Sequence, residues 1–161
     1  MSKEAFVSFE IAKLLKEKGF NCKCFDFYET EYEKSVRKHA QRYEPVDWNG
    51  EDDENCYSCP TLQLTMRWLR EKHLIFFDFR LVLGDTKDGK YMVGVYDMTA
   101  FDTYTWKTWV FGDTYEETYE KAIKYVLDND FFIEDDNDDD YESKIEDAYD
   151  KLKDVNDLIG G

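Results

Sequence analysis

Proline and glycine are scarce, with two and eight residues in 161. That excludes a collagen-like repeat and the Pro/Gly-rich low-complexity class. Histidine is scarcer still. His39 and His73 are the only two, and neither stands near a sequence signal for a nucleophile or a metal. A Gly-rich phosphate loop, a Gly-x-Ser-x-Gly elbow and a His-Glu-x-x-His helix are all missing. The expectation is a protein that is not an enzyme. Long apolar runs are missing as well. The longest strongly apolar stretch is residues 74–77, against the about 18 residues that a membrane span needs. Residues 1–10 hold no apolar run of signal-peptide length. The expected location is the reducing cytosol of a host cell, away from membranes.

Cations are the last shortage. Lys and Arg total 21 against 37 Asp and Glu, a formal net charge of −16. The excess is uneven. Residues 128–161 carry 14 acidic and 3 basic side chains, while residues 1–127 carry 23 and 18. The acidic end repels nucleic acid and anionic lipid and suits a basic partner. The chain therefore divides into an α+β domain (1–127), an acidic linker (128–140) and a C-terminal helix (141–161).

Aromatic residues, by contrast, are abundant at 17%. A disordered chain is poor in Phe, Tyr and Trp, so this one folds. At this length about two-thirds of the unfolded surface is buried without help from disulfide or metal. Residues 7–20 read as an amphipathic helix with Ser8 as N-cap, Ile11, Leu14 and Leu15 on one face, and Gly19 as a left-handed stop. Residues 21–28 read as extended, 29–42 as a polar helix, and 47–55 as a loop. Pro60-Thr61 opens a helix over 62–72.

The period then changes to two. Ile75, Phe77, Phe79, Leu81 and Leu83 define a strand with one apolar face. Two more strands follow at 91–98 and 103–111, then a helix at 115–127 with Ala122, Ile123 and Val126 on its buried stripe. A final helix is expected at 141–159, striped by Ile145, Tyr149, Leu152, Val155 and Ile159. The predicted fold is α+β: a three-stranded antiparallel sheet, or one with a fourth strand, with helices packed on one face, and a C-terminal helix after the acidic linker. Its core sets Ile75, Phe77, Phe79 and Leu81 against Leu14, Leu15, Leu69, Ile123 and Val126. Residues 61–127 share the helix–strand–strand–strand–helix order of a double-stranded-RNA-binding domain. Lys87, Lys90, Lys121 and Lys124 form no basic stripe, so no direct nucleic-acid binding is expected.

Three blocks carry a resemblance. VSFEIAKLLKEKGF (7–20), PTLQLTMRWLREKHLIF (60–76) and TYEETYEKAIKYVL (114–127) resemble, in the same order, a group of small proteins of gut Bacteroidales and of the phages and mobile elements that infect them. The group has no assigned activity, so the resemblance implies a source and a setting and no chemistry. The acidic segment after Asp128 lies outside it. The turn Gly112-Asp113-Thr114 running into a helix is similar to the strand end and helix start of HicB-type antitoxins.

Two constellations could hold a metal. Cys22-x-Cys24 and Cys56-x-x-Cys59 supply four thiols, the number a tetrahedral zinc site takes. No glycine follows either pair to form a knuckle turn, and the competing reading is four small buried apolar residues. That reading is preferred, with no cofactor. Asp135, Asn137, Asp139, Tyr141 and Glu146 match the ligand spacing of a calcium loop, but the sixth position is Asp140 where glycine is needed.

The aromatic surface is the better clue. On the third strand Tyr104 and Trp106 alternate with Trp109, so either Tyr104 and Trp106 or Trp109 faces away from the helices. The functional expectation is a small acidic accessory protein of phage or mobile-element type that binds a protein partner, a basic one by charge, and so modulates a host factor or defence system. Its partner-binding residues are Tyr104, Trp106 and Trp109 with Tyr149 and Leu152 of the final helix. One alternative is a nucleic-acid (DNA) mimic whose carboxylates occupy a basic groove. The other is a structural zinc-bound module built on Cys22, Cys24, Cys56 and Cys59. The sequence leaves the oligomeric state open.

Overall fold

Three hydroxyl side chains start the three helices. Ser8, Thr61 and Thr114 each accept a hydrogen bond from the backbone N–H three residues on, a cap worth about 1 kcal/mol. They open α1 (Phe9–Glu17), α2 (Leu62–His73) and α3 (Tyr115–Asp128). The strands are β1 (Asp26–Glu31), β2 (Lys34–His39), β3 (Cys56–Ser58), β4 (Ile75–Leu81), β5 (Tyr91–Asp97) and β6 (Thr105–Gly112). A computed structural model describes residues 4–32, 34–83, 87–98 and 105–131, together with Asp150. The fold is α+β, with two antiparallel three-stranded sheets ordered β2-β1-β3 and β4-β5-β6.

The β4-β5-β6 sheet is the one expected. Ile75, Val93 and Val95 are fully buried in a single core with Ile11, Leu15, Leu69, Ile123 and Val126, and Phe77, Phe79 and Val110 pack against it. Phe79 closes the layer, lying between Tyr91 and the Tyr115–Tyr119 pair of α3. Leu81 was placed in this core by its alternation and does not reach it: it is 62% exposed, and Leu83 is 93% exposed. Both lie beyond Phe79, at the open end of an edge strand. Leu74 takes left-handed backbone (φ 56) at the end of α2, so the chain enters β4 with no intervening loop.

The other sheet corrects the reading of residues 29–42. They form no polar helix. Asp26–Glu31 and Lys34–His39 pair as a hairpin, in register from Asp26↔His39 to Glu31↔Lys34. Tyr32 sits at its turn with φ 49. Lys38 pairs with Glu29 across the strands. Residues Cys56–Ser58 then pair with the opposite side of β1. This sheet meets the core through Tyr28 and Tyr57, whose rings stand 5.4 and 5.3 Å from that of Phe9 on α1. Beneath its hairpin lies a smaller cluster of Cys24, Ala40 and Trp48, with Phe27 stacked on Trp48 at 4.2 Å.

Helix α3 runs one residue into the expected linker. The rest of that linker from residue 132 and the expected C-terminal helix lie outside the described residues, Asp150 apart. Among the described residues no helix is long and apolar enough to cross a membrane.

Candidate functional site

Because Val93 and Val95 face the core, their neighbours Met92, Gly94 and Tyr96 face the other way. The pairing then fixes three rows across the outer side of the β4-β5-β6 sheet: Phe76–Tyr96–Trp106, Asp78–Gly94–Trp109 and Arg80–Met92–Phe111. None of Phe76, Met92, Tyr96, Trp106, Trp109 and Phe111 belongs to the core. Trp106 is 53% exposed and the other five are half-buried. A bulge at Val95/Tyr96 lets Lys107 leave this face, and its ammonium reaches Asp97 at 3.7 Å.

Gly94 makes the face possible. A Cβ there would stand 2.8 Å from Cζ3 of Trp109 and 2.9 Å from Cε2 of Tyr96. The missing side chain is the space into which the Trp109 ring lies. On that ring rests the Arg80 guanidinium, 5.2 Å from the centroid. Arg80 is itself held by Asp78, with its NH2 nitrogen 2.7 Å and Nε 2.8 Å from Oδ2. Among the described residues these three rows carry one cation, one anion and five aromatic rings, with the Arg–carboxylate pair and the Trp fixing one another's orientation.

Of the predicted partner-binding residues, the structure sets Trp106 and Trp109 on this face. Tyr104, Tyr149 and Leu152 lie outside the described residues, as do the carboxylates of the calcium-like loop. Phe76, Tyr96, Phe111 and Gly94 were not singled out by sequence. The signal was present, because the alternation that placed Ile75 and Phe77 inside also placed Phe76 outside.

The four cysteines are free thiols. Cys24 donates to the Asp26 carbonyl at 3.3 Å, Cys59 to the Val7 carbonyl at 3.8 Å, and Cys56 to Asp53 Oδ2 at 3.4 Å. Cys22 lines a shallow groove beside Leu64, Arg67, Trp68 and Glu71. Among the described residues no three His, Cys, Asp or Glu side chains are grouped as a metal would need. Burial pushes the Cys24 thiol up to about 11 and that of Cys59 up to about 12. Both stay protonated at neutral pH, the form that is not a nucleophile.

His39 is exposed at 68% of its side chain and holds Asp26, with Nδ1 2.6 Å from Oδ1. Arg37 approaches the same carboxylate at 3.6 Å. Asp26 itself is buried, so this trio ties the end of β2 to the start of β1. His73, in the last turn of α2, is buried against the Trp68 ring. The chain matches no protein-family model, no curated protein and no solved structure.

Proposed function

We propose that the chain is a non-enzymatic accessory protein that binds another protein through the outer face of the β4-β5-β6 sheet. The observation that carries this is the set of five rings on a sheet face that contributes none of them to the core. Aromatic and Arg side chains are the residues that dominate protein interfaces, because they offer much apolar area for few frozen rotors. The half-buried rings, with Trp106 standing above them, give a shaped surface with one fixed ion pair for orientation. The net charge of −16 favours a partner whose rim is basic. It disfavours nucleic acid as the occupant of the face. The resemblance of residues 7–20, 60–76 and 114–127 supports a phage or mobile-element setting, with a host factor or defence protein as the partner.

The test is affinity capture from a Bacteroidales lysate with three baits: the wild type, Trp106→Ser and Tyr43→Ser, the last altering an exposed residue outside both sheets. A protein retained by the wild type and by Tyr43→Ser, and lost with Trp106→Ser, is then purified and titrated. Its affinity should fall at least about tenfold with Trp106→Ser, the scale of an aromatic hot spot. Equal retention by all three baits would overturn the assignment of this face.

A further inference from the structure

We infer that β2 is a docking edge for an extended acidic peptide of a partner protein, which adds to the sheet as a fourth strand. This surface is separate from the aromatic face and does not depend on it. β2 is the end strand of the β2-β1-β3 sheet, and all six of its residues are exposed.

The direction of its backbone groups follows from its neighbours. On the β3 side of β1, Thr30 N–H donates to the Asn55 carbonyl at 3.0 Å, and the Asp26 carbonyl accepts from Cys59 N–H at 2.9 Å. On the β2 side, the Phe25 carbonyl accepts from Ala40 N–H at 3.0 Å. Phe27, Glu29 and Glu31 therefore face β2, where their register partners are Lys38, Val36 and Lys34. By the antiparallel alternation, the N–H and C=O groups of Ser35, Arg37 and His39 point away from β1 to the open edge. These are the groups that an added strand pairs with.

The charge of this edge selects the occupant. Residues 34–42 hold Lys34, Arg37, Lys38 and Arg42 and no carboxylate, within a chain of net charge −16. Lys34 and Lys38 project from one face of the strand and Arg37 and His39 from the other, so an incoming strand meets positive charge on both sides. Three of these cations also have partners within the fold, Lys38 with Glu29, Arg37 with Asp26 and Arg42 with the Trp48 ring, 5.5 Å from its centroid. At physiological salt, charges beyond about 8 Å are screened, so the cations of the edge itself decide what it meets. Lysines along an exposed edge repel a second copy of the same edge. They leave a strand of opposite charge as the complement. Val36, 55% exposed in the middle of the strand, offers an apolar contact that a phosphate backbone does not use.

The probe is a fluorescein-labelled octapeptide of alternating Glu and Thr, titrated by anisotropy against the full chain at about 0.15 M salt. The controls are the Lys-Thr octapeptide and a 12-nucleotide oligothymidylate. Saturable binding of the Glu-Thr peptide is expected, with slowed amide exchange at Ser35, Arg37 and His39. Ser35→Pro removes an outward N–H and leaves the β1 ladder whole, since proline is tolerated on the solvent side of an edge strand. It should weaken binding by about tenfold or more, as should the double change Lys34→Glu, Lys38→Glu. If Ser35→Pro fails to fold by circular dichroism, the double variant and the exchange pattern decide. The inference is overturned by any of four results: no saturable binding; affinity unchanged in both variants; oligothymidylate or the Lys-Thr peptide binding as tightly as the Glu-Thr peptide; or protection spread over the aromatic sheet in place of residues 35, 37 and 39.

Discussion

The two sheets have the same number of strands and differ in what holds them. The β4-β5-β6 sheet has one side sealed by α2 and α3, so its residues divide into a buried set and an outer set. The β2-β1-β3 sheet has little apolar area to bury. β1 shows one buried residue, Asp26, and β2 none. The exposed Lys38–Glu29 pair, a kind of contact that contributes little, and the trio of His39 and Arg37 on the buried Asp26 carboxylate hold its outer strand. Burial therefore fixes the register of one sheet, while turn geometry and charge set that of the other.

The sharpest way to break this comparison is to cut into the sealed side. Ile75→Ala removes three carbons from a fully buried position at the start of β4. It should cost about 2–5 kcal/mol in urea unfolding, by lost transfer energy plus a cavity. A loss under about 1 kcal/mol would mean that α2 does not seal this sheet.

Next in size is Gly94→Ala on the outer side. Its Cβ would overlap the Trp109 and Tyr96 rings, and the Trp109 ring is held beneath Arg80. The expected cost is about 1–3 kcal/mol, the scale of overpacking, with a change in tryptophan emission. Unchanged stability and emission would show that the ring can lie elsewhere.

The contrast also explains what the sequence could and could not disclose. Residues 75–81 and 91–97 alternate because one side is dry, and period two is legible wherever one side is dry. Residues 29–39 are largely polar on both sides, so nothing distinguished a hairpin from a solvated helix. Glu and Lys also pair across strands, as Glu29 and Lys38 do. The cap at Ser8 and the helix start at Pro60-Thr61 were legible because capping is local. The end of the core at Phe79 was not, because how far α3 reaches along β4 is a tertiary fact that Leu81 and Leu83 do not encode. For the same reason Trp106 and Trp109 were found from their own strand, while Phe76, Tyr96 and Phe111 needed the pairing.

A third effect separates the sheets by pH. Cys24 and Cys59 flank the β2-β1-β3 sheet, and burial raises both above the ordinary thiol value of 9.0, to about 11 and about 12. A thiol whose folded pKa lies above its unfolded one keeps its proton longer in the folded state. The stability it contributes is intact below pH 9 and is lost as pH climbs toward 11 and 12. In the limit each thiol costs about 1.4 kcal/mol per pH unit within that window. Tyr28 and Tyr119, raised from 10.0 to about 12, add the same trend only above pH 10. Thermal midpoints should therefore fall between pH 9 and 10, and fall less in the double variant Cys24→Ser, Cys59→Ser. Equal slopes in the two proteins would remove the thiols from the account.

The smallest effect is expected at Val36, and its smallness is the point. Val36 is the apolar residue at the centre of β2, as Val93 and Val95 are within β5. Those two are fully buried, whereas Val36 is 55% exposed. Val36→Ala removes two methyl groups from water and leaves the ladder with Glu29 intact, because the backbone makes it. The change in unfolding free energy should stay within about 0.5 kcal/mol, as for surface substitutions in general. Amide exchange should show the same asymmetry, with Val93 and Val95 opening only on global unfolding and β2 opening locally. A cost above about 1 kcal/mol at Val36 would mean that β2 is covered and that its edge is not free to take a strand.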